Sequence, residues 1–359
     1  MDSKMHPWQS EIIYTSGDAY FADLLQAINS AKISILFEVY IFNPDQLGQR
    51  ILQALGEAAK RHVPVVLRTD GVGSLLWISQ LATEAKQLKI NFEVYHPLPS
   101  LLKPSSFTKR FGRLNRRNHR KMCVIDSRLA FVGSMNVDAC HVHEFSGDKA
   151  WRDTGLRVEG NHVEMLEMAF KTLKDDNYKL DELVKLNNSL FKRRKYYTAL
   201  MTRVKLAKTR IWITSPYFNP PPFLIGNLCR AVKRGVDVCL LLGNKQDHFL
   251  LQWVKTYHYS YLLKNEVRIF EFNATILHAK TKIIDDWMTI GSSNQNYRSF
   301  FHDLEVDVVL TGDSPKEDMQ HQFLKDLESS RQLDLTHWKK RSFVHAIIEK
   351  ILSIFHFWI

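Results

Sequence analysis

Two stretches of the chain repeat one pattern of apolar and polar positions. In Tyr20–Pro44 and again in Tyr196–Pro220, apolar residues first recur at helical spacing, as Leu24, Leu25, Ile28 and as Leu200, Met201, Val204. A run rich in β-branched and aromatic residues follows each, which predicts a buried strand. At an offset of 176 residues the stretches share Ala31/Ala207, Lys32/Lys208, Phe42/Phe218, Asn43/Asn219 and Pro44/Pro220. Downstream, KRHVPVVLR from Lys60 matches KRGVDVCLL from Lys233, and each reads as a helix end entering a second strand. FEVY at Phe92 and VRIF at Val267 predict a third. Strand, helix, strand in each half predicts an α/β fold of two similar halves. Each half is expected to be a mostly parallel sheet flanked by helices, the two packing around one cleft. The boundaries follow: a first half over 1–173, a connection over 174–195, a second half over 196–335, and a tail over 336–359.

The repeat then reaches chemistry. His119-x-Lys121-x4-Asp126 precedes Gly133-Ser134-Met135-Asn136, and His278-x-Lys280-x4-Asp285 precedes Gly291-Ser292-Ser293-Asn294. Residues i and i+2 of a strand share a face, so each His and its Lys point the same way. Facing halves would put two His, two Lys and two Asn into one cleft. That set suits a phosphodiester. Lysines and amides stabilise the charge on phosphorus oxygens, one imidazole attacks, and the other protonates the leaving alkoxide. No metal or other cofactor is needed. One H-x-K pair could be surface decoration. Two in matching places of a repeat, each with the same trailing turn, mark a site.

These motifs resemble the phospholipase D superfamily, whose hallmark is a duplicated H-x-K-x4-D with a trailing G-S-x-N. The likeness spans about residues 11 to 330. Within the superfamily the chain is most similar to bacterial cardiolipin synthases, through Gly17–Phe21, Glu38–Phe42, Asp70–Ser74, Trp151–Thr154 and Ser215–Phe218. It is closer to their shorter form, which lacks N-terminal membrane-spanning helices. The resemblance implies a phosphohistidine intermediate, with His119 as nucleophile and His278 as acid and base. It also implies a carboxylate behind each histidine. Asp153 matches it for the first half and Glu305 for the second, with Asp303 as a rival. The candidate site is thus His119, Lys121, Asp126, Ser134, Asn136, Asp153, His278, Lys280, Asp285, Ser292, Asn294 and Glu305, the two motif aspartates serving architecture more than substrate. In one departure, six residues separate Asp126 from Gly133 but five separate Asp285 from Gly291.

Other features narrow the partner. With 49 Lys plus Arg against 38 Asp plus Glu, the net charge is +11, which favours an anionic partner. Cys123, Cys140, Cys229 and Cys239 form no C-x-x-C pair and suggest no disulfide framework. The first ten residues have no apolar signal region, and no stretch has the length of a spanning helix. An insertion of roughly 16 residues over Pro97–Arg117 is basic and interleaved with apolar residues, which suits a lipid surface or a nucleic acid. Asp70–Ser74 reads either as a phosphate-approaching loop or as a plain turn. His141-x-His143-Glu144 has metal-like spacing but no second ligand cluster. Ser342–Ile359 reads as an interfacial amphipathic helix behind Lys339, Lys340 and Arg341, or as a last helix packed on its domain.

The expected function is phosphatidyl transfer between two phosphatidylglycerol molecules, releasing glycerol. The alternatives are a lipid hydrolase and a nuclease of the same superfamily. The expected partners are phosphatidylglycerol, other anionic phospholipids and the membrane surface, without nucleic acid, and a monomer suffices. The expected place is peripheral, on the cytoplasmic face of a bacterial inner membrane.

Overall fold

The computed structural model describes residues 7–98, 115–173, 181–245 and 256–339. Most of the basic insertion and the segment 342–359, expected as an amphipathic helix, lie outside the described residues. The first half carries seven strands: β1 Ser10–Tyr14, β2 Ile35–Val39, β3 Val65–Asp70, β4 Asn91–Tyr95, β5 Met122–Ile125, β6 Leu129–Gly133 and β7 Gly155–Glu159. They form one sheet in the order β1-β7-β6-β5-β2-β3-β4. The second half adds β8 Val184–Leu186, β9 Arg210–Ser215, β10 Phe218–Asn219, β11 Asp237–Gly243, β12 Arg268–Phe272, β13 Thr281–Ile284, β14 Trp287–Gly291, β15 Gln295–Asn296, β16 Val306–Val309 and β17 Ser330–Gln332. Eight of these form a sheet in the order β17-β12-β11-β9-β13-β14-β16-β8.

The duplication is plain in this order. β2, β3 and β4 run parallel, as do β9, β11 and β12. β5 then pairs antiparallel with β2, and β13 with β9. The sheets are therefore mixed, not mostly parallel. The strands that follow the His-x-Lys segments enter tight hairpins, β5 into β6 and β13 into β14, and a hairpin forces antiparallel pairing. The stretch 174–195 holds more than a connection. β8 lies inside it on the edge of the second sheet, and the helix Leu190–Leu206 begins inside it.

Local sequence explains the elements. β2 is ILFEV, buried along its whole length, and only its Glu38 needs polar partners. The helix Gln46–Lys60 starts at Asp45, whose side chain accepts from Leu47 N and Gly48 N. The helix Leu190–Leu206 starts at Ser189 in the same manner. The two sheets pack face to face over one shared core. Leu36, Val124, Val132 and Leu156 meet Leu241, Ile283, Ile290 and Val306 there. Each such side chain contributes ~1.5–3 kcal/mol on full burial. The outer helices cover the far faces with cores of their own. The N-terminal segment ties the halves further: Trp8 Nε1 donates to Val309 O, and Glu11 accepts from Thr311 N and Gly312 N. Among the described residues, no helix is long and apolar enough to cross a membrane.

Candidate active site

Each His-x-Lys lies in the extended segment just before its strand, not within it: β5 starts at Met122 and β13 at Thr281. Each segment is bridged to the other half. Asn118 pairs with Leu304, and Arg152 with Leu277. His119 N donates to Leu304 O, and His278 N to Arg152 O, at 2.9 and 2.8 Å. These bridges carry each histidine to the carboxylate of the opposite half. His119 Nδ1 lies 3.1 Å from Glu305 Oε2, and His278 Nδ1 lies 2.7 Å from Asp153 Oδ2. The same-half assignment of the carboxylates is thereby corrected. Asp303, the rival of Glu305, pairs with Arg298 and accepts from Arg117 N instead.

The serines of the trailing turns lock these carboxylates. Ser134 Oγ donates to Asp153 Oδ1, and Ser292 Oγ to Glu305 Oε2. The preceding glycines let the backbones close up. A Cβ on Gly133 would stand 2.7 Å from Thr154 O, and one on Gly291 2.2 Å from Val306 O. The spacing departure disappears into a hairpin. β5 and β6 close around three residues, since Ile125 pairs with Leu129, while β13 and β14 close around two, since Ile284 pairs with Trp287. Ser292 therefore reaches its carboxylate just as Ser134 does.

The lysines fold back beside the rings, Lys121 Nζ donating to His119 O and Lys280 Nζ to His278 O. Tyr40 stands 5.0 Å from the His119 ring, and Trp151 stands 5.4 Å from His278. Asn136 Oδ1 accepts from Ile41 N, and Asn294 Oδ1 is buried without a partner among the described residues. Asp126 and Asp285 stand apart from this group. They lie seven residues past their histidines, roughly 20 Å along extended chain. Asp126 accepts from Lys32 N, Ile33 N and Ser34 N, and Asp285 from Lys208 N, Thr209 N and Arg210 N. Each holds the turn from the first helix of its half into the next strand.

Electrostatics make the two pairs unequal. Burial pushes the Asp153 carboxyl up, but His278 and His141 hold it well below the usual carboxylate range. Burial pushes Glu305 up to about 7, against Lys121 and the hydroxyls of Ser292 and Ser299. Burial, then Lys280, brings Lys121 down to about 7. Burial lowers both histidines, with Lys280 next for His278 and Lys121 next for His119. The lysine charges of both halves thus act at one place, which is where an anionic phosphodiester would be stabilised.

Two segments read differently in space than in sequence. Val72 N and Gly73 N donate to Asp70 Oδ1, so that glycine turn satisfies itself and does not cradle phosphate. His141-x-His143-Glu144 is split. His143 and Glu144 are on the surface with Asp148 and Arg50, while His141 is buried beside Asp153. His141, Asp153 and His278 place ligand-type atoms within 4.8 Å of one another. The contact of His278 Nδ1 with Asp153 is a donor–acceptor pair, so hydrogen bonding accounts for the closeness. Sequence reasoning did not place His141, Ser299, Tyr40 or Trp151 among the site residues. One signal existed: His141 follows Asn136 by five residues, as Ser299 follows Asn294.

Comparison with known proteins gives a consistent picture. A family model described as cardiolipin synthase, PLD-like domain, matches residues 24–144 and 200–327. A cardiolipin synthase of Clostridium perfringens is 27% identical over 381 residues, covering 98% of this chain and 78% of that protein. One of Alkalihalophilus pseudofirmus is 30% identical over 365 residues, covering 94% and 70%. Among solved structures, phosphatidylserine synthase of Haemophilus influenzae Rd KW20 superposes with a TM-score of 0.71 at 13% identity, over 96% of this chain and 92% of that one. That likeness is one of fold.

Proposed function

The chain belongs to the phospholipase D-like cardiolipin synthase family, and from that premise we propose that it transfers a phosphatidyl group between two phosphatidylglycerol molecules. The observation that carries this reading is the crossed pairing of two imidazoles with two buried carboxylates. Each carboxylate accepts from Nδ1–H, which fixes the tautomer and leaves Nε2 for the substrate.

In the first step His119 Nε2 attacks phosphorus, the bond from phosphorus to the glycerol oxygen breaks, and His278 gives its proton to that oxygen. In the second, His278 takes the proton of a hydroxyl on another phosphatidylglycerol. That oxygen displaces His119 from phosphorus, giving cardiolipin. Lys121, Lys280 and the amides of Asn136 and Asn294 bind the phosphoryl oxygens. Ser134, Ser292, Asp153 and Glu305 hold the rings, and Asp126 and Asp285 hold the fold. The halves 1–173 and 196–335 together supply one complete site, so a single chain suffices. His119 is assigned as nucleophile and His278 as acid and base by the family resemblance; Asp153, held ionised, opposes the lowering of His278 by burial and Lys280.

Anionic phospholipid and the membrane surface are the partners, reached peripherally from the cytoplasmic face of a bacterial inner membrane. The charge of +11 supports that contact. The experiment is thin-layer analysis of lipids after incubation with phosphatidylglycerol vesicles, with and without phosphatidylethanolamine, in the presence of EDTA. Cardiolipin plus free glycerol is expected. Phosphatidic acid alone would make water the acceptor, and cleavage of single-stranded DNA without lipid turnover would overturn the lipid reading.

A further inference from the structure

The position five residues beyond the motif asparagine is filled differently in the two halves. In the second half it is Ser299, whose Oγ accepts from Asn294 N at 3.1 Å and donates to Glu305 Oε1 at 2.6 Å. In the first half it is His141. Its Nε2 accepts from Asn136 N at 3.3 Å, and its Nδ1 stands 3.1 Å from Asp153 Oδ2, off the line of a well-aligned hydrogen bond. Because Nε2 accepts, the proton of the neutral ring sits on Nδ1, toward the carboxylate. His141 is 1% exposed, with Trp151 at 5.2 Å and His278 at 5.5 Å.

The carboxylates consequently differ in company. Asp153 Oδ2 faces two imidazoles, with Ser134 on Oδ1. Glu305 faces one imidazole and two hydroxyls. A hydroxyl can turn and reverse its bond, whereas a tautomer-fixed imidazole cannot. We propose that His141 is a positioning residue that locks the Asp153 carboxylate as an anion behind His278, and so reserves protonation of the leaving group to that histidine. This rests on the phosphatidyl-transfer reading. It adds a residue of this chain that the two-motif mechanism does not use.

The test replaces His141 by the residue of the other half. His141→Ser is compared with wild type on two short-chain phosphatidyl esters, one of glycerol and one of p-nitrophenol. Nitrophenolate leaves without a proton, so only the glycerol ester needs the acid. The expected result is a single-turnover rate of intermediate formation lowered at least ~10-fold on the glycerol ester and within ~3-fold on the nitrophenol ester. His141→Gln, whose amide can accept from Asn136 N and donate to Asp153, should restore most of the loss. Should His141→Ser fail to fold, His141→Ala measured by the same ratio decides. Equal losses on both esters, or no loss on either, would overturn the proposal. A wild type that turns over neither ester would overturn the phosphatidyl-transfer reading itself, and the role of His141 with it.

Discussion

The two motif segments are held in place by opposite means. Around His119 the sequence is Arg117-Asn118-His119-Arg120-Lys121, and it is set in buried charge. Arg117 pairs with Asp70 at 2.9 Å, while Glu38 accepts from Arg68 at 2.9 Å and from Asn118 Nδ2 at 2.6 Å. Around His278 the sequence is Leu277-His278-Ala279-Lys280, and Leu277 and Ala279 sink into the shared core. Both segments deliver an imidazole to the same kind of partner. The catalytic geometry is therefore set by the bridges between halves, and the support beneath is free to differ. Buried ion pairs fix orientation at a desolvation cost, whereas apolar packing gives stability with less directional control.

The largest expected effect erases the comparison altogether. His119→Ala and His278→Ala should each lower kcat by ~10^4-fold or more, because each ring acts in both steps. Unchanged melting curves would show that chemistry alone was lost. Next come the carboxylates. Asp153→Asn should cost up to ~10^4-fold, since it leaves the wrong tautomer behind a histidine. Glu305→Gln should cost less, about 10^2-fold, because Glu305 already titrates at about 7. Equal losses would count against the asymmetry.

Stability distinguishes the supports. Glu38→Ala removes the buried carboxylate that Arg68 and Asn118 share, leaving Arg68 with Glu93 and Phe170 O, and should cost ~3–5 kcal/mol. Leu277→Ala leaves a cavity and should cost ~2–5 kcal/mol, read from urea midpoints. Only the first variant should recover when Arg68 is also replaced by Met. A pH profile of kcat/KM sharpens the picture further. Activity should fall as pH drops through about 7, where Glu305 gains a proton, and fall again as pH rises through about 7, where Lys121 loses one. Glu305→Gln should abolish the acid limb, and Lys121→Arg should move the alkaline limb upward. The smallest effect belongs to the turn aspartates. Asp126→Asn and Asp285→Asn should leave kcat intact and cost ~0.5–2 kcal/mol of stability. Asp285 is lowered to about 2; burial opposes this shift, and the N–H groups of residues 208–210 cause it. Its stabilisation is thus present above its unfolded value and is lost as pH falls toward 2.

Much of this was legible in the sequence because a duplication leaves two copies of each signal. Helical spacing before Lys32 and Lys208, and buried strands after them, marked both halves. The repeated motifs marked the two histidines, the two lysines and the serines. The crossing of the carboxylates was not legible, because Asp153 and Glu305 each follow their own motif along the chain. Only the bridges Asn118 to Leu304 and Arg152 to Leu277 send them across. The mixed sheet was hidden because periodicity reports burial and not strand direction. His141 was passed over because, with His143 and Glu144 and no second ligand cluster, it read as a loop near the cleft mouth, and exposure alone separates the three. Arg117, at the end of the basic insertion, read as part of a loop, since its partner Asp70 is distant in sequence.

Each histidine answers to the carboxylate of the other half. This crossing is tested by the burst of p-nitrophenol from an activated phosphatidyl ester, measured in His119→Ala, His278→Ala, Asp153→Asn and Glu305→Gln. Formation of the intermediate from this ester needs the nucleophile but not the acid. Asp153→Asn should burst as His278→Ala does, and Glu305→Gln should be slowed together with His119→Ala. If Asp153→Asn instead groups with His119→Ala, and Glu305→Gln with His278→Ala, each half orients its own histidine and the account is wrong.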